Sequence, residues 1–383
     1  MNLPLSSPWR IASVAVVLGL LGSCAAVLAL ADSPGSATVM RRTGAVAARR
    51  AGHSLRSRRP ALAADAARAR EGLALMSEAA AAGQADSYRG LQIVAWWGQG
   101  GASASVVQVW HRPGSGTMAQ VSGSTALPGA VRQSAAWQNQ DRDGILAVSR
   151  RLLALMQVNY QIVYVSQGTA DNRPAEVVEL WRPDGSVAAR FWLDTASRLP
   201  LRREIFDTHG AMISEDAYID LELGQAGLGG MPTADALPWT GQLSSAGLAA
   251  MRARGWPLPA ALAGNLTLFD ARATSTRSGQ VIDLSYSDGL SEVSLFLQRG
   301  QLPRDLPGWQ RLSVHGQTVL SSDPDERCLA WSARGFVYTM IADAPPVTVH
   351  RIVAVLPHDG QLGFWARIGR GLRRLASWIN PFS

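Results

Sequence analysis

The sequence contains no lysine, so all 36 basic side chains are arginine. That absence excludes a Walker A phosphate loop, a Schiff-base lysine and the Ser-x-x-Lys pair of β-lactamases. Only two cysteines occur, Cys24 and Cys328. Cys24 lies in an apolar leader and Cys328 reads as a small buried hydrophobe, so no internal disulfide is expected. None of G-x-S-x-G, H-E-x-x-H, G-x-G-x-x-G or Cys-x-x-Cys occurs. The histidines, at 53, 111, 209, 315, 350 and 358, lack metal-ligand spacing. The acid pairs Asp141 with Asp143 and Asp323 with Asp325 sit in polar turns without the partners that a glycosidase or a calcium loop needs. The expectation is a protein that binds rather than catalyses, with no cofactor and no metal.

Charge is scarce and unevenly placed. Charged residues are 17% against 47% hydrophobic, which suits a packed globular chain, and 383 residues suit about two domains. The net charge of +7 comes from the flanks. Nine arginines and one aspartate fall between residues 41 and 70, and four arginines with no acid between 360 and 383. The globular part is mildly acidic, so nucleic acid is not an expected partner.

Ile11 to Ala31 is an apolar run long enough to span a bilayer, and it closes on Ala29-Leu30-Ala31, a signal-peptidase pattern. Residues 1–31 are read as a cleaved signal, with an uncleaved anchor or a lipobox at Cys24 as alternatives. Arg41, Arg42, Arg49 and Arg50 oppose export by the positive-inside rule. Residues 32–60 read as an Arg-rich flexible linker.

A first domain is expected over 61–223. Its helix, Ala61 to Gly83, is Ala-rich, and strands follow at Gly90 to Gly98 and Ser105 to His111. The stretch from Gly129 to Gly144 reads as irregular, Ile145 to Gln157 as a helix and Tyr160 to Val165 as a strand. The clearest pattern is a meander. Val177 to Trp181 and Val187 to Asp194 flank Asp184-Gly185, and Leu201 to Phe206 follows a second turn. Alternation sends Phe191 and Leu193 to one face and Trp192 to the other. Ala217 to Leu223 adds a strand, and 224–238 is a linker by composition.

Residues 239–359 are expected to form a smaller α+β domain. Ser244 to Gly255 is its first helix, Asp288-Gly289 turns a hairpin between Val281 to Tyr286 and Ser291 to Gln298, Gly335 to Ile341 is a strand, and Val347 to Leu356 closes it as a helix. In the tail, 360–383, the large apolar residues share one helical face and the arginines occupy the rest. Trp365, Arg367, Arg370, Arg373, Arg374 and Trp378 would suit a membrane surface, and docking on the second domain would bury the same face. Trp96, Trp97, Trp110 and Trp192 are candidate ligand- or partner-binding residues.

Several segments together resemble the MucB/RseB sigma-factor regulatory proteins, in the form found in actinobacteria. They are Ser87-Tyr-Arg-Gly-Leu-Gln92, Asn172-Arg-Pro-Ala175, Arg190-Phe-Trp-Leu-Asp194 and Leu199-Pro-Leu-Arg-Arg203. The order continues with Gly255-Trp-Pro257, Tyr286-Ser-Asp-Gly-Leu290 and Phe336-Val-Tyr-Thr339. The resemblance implies an α+β fold: a LolA/LolB-like unclosed antiparallel β-barrel with helices in its hollow, plus a smaller C-terminal domain. It also implies an extracytoplasmic negative regulator of the envelope stress response. Such a protein binds the outer domain of an anti-sigma factor and shields it from proteolysis, with a lipid or lipoprotein as a possible releasing ligand. A lipid or lipoprotein carrier is the alternative, and a cell-wall hydrolase the third.

Overall fold

The computed structural model describes residues 62–98, 101–121, 137–139, 146–224, 241–276, 279–303, 306–322 and 326–358. The leader, both linkers by most of their length, and the basic tail lie outside the described residues.

The chain opens with helix α1 (Leu62–Ala85), whose alanines carry the highest intrinsic helix propensity. Strands β1 (Tyr88–Gly98), β2 (Gly101–Arg112), β3 (Gly116–Val121) and β4 (Trp137–Asn139) follow. The short strand β4, paired to β3, lies within the stretch expected to be irregular. Helix α2 (Arg150–Asn159) starts five residues later than the apolar spacing predicted. The side-chain oxygen of Ser149 accepts from the Leu152 amide at 3.1 Å, and this cap fixes the first turn. Leu146 and Val148 are buried in non-helical chain before it.

Strands β5 (Gln161–Ala170), β6 (Arg173–Trp181), β7 (Val187–Asp194), β8 (Pro200–Phe206) and β9 (Met212–Leu223) complete a nine-stranded antiparallel sheet. Its order is β4-β3-β2-β1-β9-β8-β7-β6-β5. Strands β4 and β5 stay at the two edges, so the sheet is unclosed. The β6–β7 turn is built as read. Gly185 has φ of 84°, and the Asp184 carboxylate accepts from the Ser186 amide at 2.9 Å.

Helices α1 and α2 cover one face. Leu75, Met76, Ala79 and Ala80 of α1 and Leu153 and Met156 of α2 form a core with Val178, Leu180, Phe191, Leu193 and Ile205. Complete burial of Leu180, Phe191 and Leu193 contributes about 1.5–3 kcal/mol each. The helix approaches closely because its contact side is small. A Cβ on Gly72 would lie 2.6 Å from the Tyr164 backbone nitrogen.

The second sheet holds β10 (Gly241–Gln242), β11 (Thr267–Thr276), β12 (Gly279–Ser287), β13 (Glu292–Arg299), β14 (Gln310–Val314), β15 (Gln317–Ser321), β16 (Cys328–Ala333) and β17 (Phe336–Asp343). Its order is β10-β11-β12-β13-β17-β16-β15-β14. Helices α3 (Ser245–Ala253) and α4 (Pro346–Val355) accompany it. Met251 of α3 and Val349, Ile352 and Val353 of α4 pack with Leu284, Tyr286, Leu295, Trp331, Tyr338 and Met340. Five of these strands, β10, β11, β14, β15 and β16, escaped the sequence reading. In β11 the run Asp270 to Thr276 is mostly polar or small, so it lacks the apolar alternation that signals a strand.

Candidate partner-binding face and inter-sheet junction

Cross-strand register decides which side chains meet. Val178 pairs with Phe191, Phe191 with Arg203, Arg203 with Asp216, Asp216 with Val94 and Val94 with Ser105, so this row runs along the helix-bearing face. Trp96, two residues past Val94, shares that face, and the Arg327 guanidinium of the second sheet lies over its ring at 5.0 Å. Trp97, Trp110 and Trp192 are offset by an odd number of residues from this row and lie on the opposite face. Trp110 is only 4% exposed. The sheet therefore does not gather the four tryptophans into one concavity. The tail candidates, Trp365, Arg367, Arg370, Arg373, Arg374 and Trp378, lie outside the described residues.

Trp192 sits in a ladder of alternating charge. Arg190 donates to Glu179 at 2.6 Å and lies 3.5 Å from Glu204, and Arg202 pairs with Glu204 at 2.5 Å and with Glu215 at 2.9 Å. The Arg202 guanidinium stacks over Trp192 at 4.8 Å, with Arg190 at 5.7 Å. Glu179 and Glu204 are buried beneath half-exposed arginines. Each cation–π contact at such an exposed site is worth about 0.5–1 kcal/mol. The ladder braces an indole at a polar surface.

The two sheets meet through the β12–β13 turn. Asp288 holds that turn by accepting from the amides of Leu290 at 2.9 Å and Ser291 at 2.7 Å. Its other carboxylate oxygen accepts from the Tyr160 hydroxyl at 2.7 Å, and its carbonyl accepts from the Asn159 side chain at 2.9 Å. Gly289 has φ of 101°, and a Cβ there would stand 2.5 Å from the Met156 backbone nitrogen. Leu290 then enters the core of the first sheet, among Leu153 and Met156. Burial pushes Asp288 above the usual carboxylate range, opposed by the hydrogen bonds from Tyr160 and the turn amides. Burial and the neighbouring Asp288 charge both raise the Tyr160 phenol, which therefore stays a donor. Tyr160→Phe is expected to lower stability by about 1–3 kcal/mol, because it leaves a buried carboxylate oxygen without its donor. A shifted urea midpoint reads this out, and an unchanged midpoint would refute it.

A second tie lies farther along the junction. Arg203 donates from Nε and Nη2 to Asp216 at 2.9 and 2.5 Å, and the same Nη2 lies 3.9 Å from Asp343 of β17. Sequence reasoning missed Tyr160, Arg203, Asp216, Arg327 and Asp343 as junction residues. Part of the signal was present, since Arg203 and Asp288 fall inside the segments that carried the family resemblance. Among the described residues, no group of three or more His, Cys, Asp or Glu could hold a metal ion. Cys328 is buried.

Residues 71–240 match the family model described as the MucB/RseB N-terminal domain. That segment, less than half of the chain, is similar to the MucB/RseB N-terminal domain. No curated protein matches the chain. Among solved structures it is similar to MucB in complex with MucA(peri), at 19% identity over 76% of this chain and 100% of that one, with a TM-score of 0.43. The Pseudomonas aeruginosa MucA/MucB complex matches at 19% identity over 76% of this chain and 100% of that one, with a TM-score of 0.42. A LolA superfamily protein from Nitrosomonas europaea matches at 10% identity over 71% of this chain and 91% of that one, with a TM-score of 0.18. The matched segment begins within α1 and runs past β9, so it covers the nine-stranded sheet, and the second-domain segments of the resemblance lie outside it. Among the described residues, no helix is long and apolar enough to cross a membrane.

Proposed function

We propose that this chain is a non-enzymatic, extracytoplasmic negative regulator. It binds the outer domain of an anti-sigma factor and shields that domain from regulated proteolysis. The match of residues 71–240 to the MucB/RseB family carries the reading. The absence of nucleophile and metal motifs from the sequence supports binding over turnover, and the basic tail would hold the protein at an anionic membrane surface. A lipid or lipoprotein would act as the releasing signal. The carrier alternative needs room for cargo, whereas the helix-bearing face of the first sheet is packed with α1 and α2 side chains.

Of the four candidate tryptophans, Trp192 is the contact residue this reading favours. It is braced by two arginines at a surface, whereas Trp110 is buried. The test is co-purification of the full chain with the extracytoplasmic segment of an anti-sigma factor from the same organism, with proteolysis of that segment timed in the mixture. Stable capture and slower cleavage are expected. Trp192→Ala should weaken capture about tenfold or more, the scale of an aromatic anchor, whereas Trp110→Phe should leave it unchanged. Recovery of bound acyl chains with no capture of the segment would favour the carrier instead.

A further inference from the structure

Among the described residues, four strands stand at the edges of the two sheets. Natural edge strands are kept short, charged or covered, because their outward N–H and C=O groups invite another chain to pair. Strands β4 and β10 have three and two residues, and β14 has five, with Arg311 among them. Strand β5 differs: it runs for ten residues, QIVYVSQGTA, without a charge or a proline. Helix α1 crosses it at Val163 and Tyr164, where Gly72 sits, and a bulge follows at Val165. Past that crossing Val165, Ser166, Gln167 and Thr169 are exposed. Among the described residues, no main-chain group outside β6 bonds to 165–170.

Each face of this free edge has its own chemistry. Gly168 lies on the Trp192 side, and its missing side chain lets the indole reach across β6 to the edge. A Cβ there would stand 3.5 Å from Trp192 Nε1 and 3.1 Å from Val177 Cγ2. Arg202, stacked on the ring at 4.8 Å, holds the indole in place. On the other face Gln167 stands opposite Glu176 and donates to it at 3.5 Å. The charges of Glu176 and of Glu71 on α1 both act on Tyr164, so this side of the edge is acidic. Among the described residues neither acid lies in an ion pair. We infer that residues 165–170 take an added strand: an extended segment of the anti-sigma factor's outer domain pairs with this edge, setting basic side chains toward Glu71 and Glu176 and an apolar one over Gly168 against Trp192. This rests on the regulator reading above and gives it a contact surface. Main-chain pairing supplies the affinity, and the alternation of basic and apolar side chains supplies the selection.

The test follows amide hydrogen exchange in the full chain, alone and with the extracytoplasmic segment of an anti-sigma factor from the same organism. Exchange across 165–170 should slow about tenfold or more in the complex. Gln167→Lys sets a cation at an exposed position on the acidic side and guards the edge, so capture should weaken about tenfold or more. Gln310→Lys, on edge strand β14, is the control and should capture as the native chain does. Circular dichroism checks that each variant is folded. Capture with unchanged exchange at 165–170, or undiminished capture by folded Gln167→Lys, overturns the edge assignment and leaves the regulator reading standing. No capture by the native chain overturns both. Exchange at 165–170 that slows on concentrating the chain alone gives the edge to a second copy, and the assignment falls.

Discussion

Replacing Gly289 by alanine is expected to unseat the second sheet from the first. Two costs coincide at this residue. Its φ of 101° is one that L-residues avoid, at a penalty of about 1–3 kcal/mol. The added methyl would also stand 2.5 Å from the Met156 nitrogen and 2.9 Å from its Cα, atoms that belong to the backbone of α2 and cannot swing aside. The turn must therefore withdraw, taking Leu290 out of the first core and Asp288 away from Tyr160. The combined loss should reach at least about 3 kcal/mol, or a fall in melting temperature of roughly 6–12 °C. Gly185→Ala is the matched control, because its φ is 84° but nothing lies within 4 Å of the new methyl. It should cost only about 1–2 kcal/mol. Equal losses in the two variants would show that the contact with Met156 contributes nothing.

Gly72→Ala should reverse the usual rule for helices. In a free helix this change stabilises by about 1 kcal/mol. Here the methyl would meet the Tyr164 nitrogen at 2.6 Å and the Val163 carbonyl carbon at 2.8 Å, both backbone atoms of β5. Helix α1 would have to lift from the sheet, loosening Met76 and Ala79 from the core, at a net cost of about 2–4 kcal/mol. Gly83→Ala, in the same helix with nothing within 4 Å, should instead stabilise by up to about 1 kcal/mol. Opposite signs in urea unfolding are the expected result. A stabilised Gly72→Ala would mean that the helix does not seat at Tyr164.

The features legible in the sequence were those set by local chemistry. The β6–β7 hairpin follows from Asp184-Gly185 between β-branched runs, and strand alternation placed Phe191 and Leu193 toward the helices, where they are found. The start of α2 was misplaced because Ile145 and Val148 fit the helical spacing of Leu152, Leu155 and Met156, while the Ser149 cap decides where the helix begins. Strand β11 was missed because its partners supply the burial that its own side chains do not advertise. Alternation within β1 already set Trp96 and Trp97 on opposite faces, but only the cross-strand register puts Trp110 and Trp192 on the Trp97 side. The junction was illegible for a different reason. Asp288-Gly289 announces a turn, but nothing local says that the turn will enter a core beside Leu153 and Met156, more than a hundred residues earlier.

That insertion bears on how the protein is made. The first sheet is complete once Leu223 has left the ribosome, yet Leu290 must still be synthesised before the pocket beside Leu153 and Met156 closes. The nascent first half therefore waits with an apolar notch on α2 open to water, and only the arrival of the β12–β13 turn fills it. Folding of the two halves is sequential in time but mutually dependent in its final step, so a chain truncated after β9 should be a substrate for chaperones rather than a finished module.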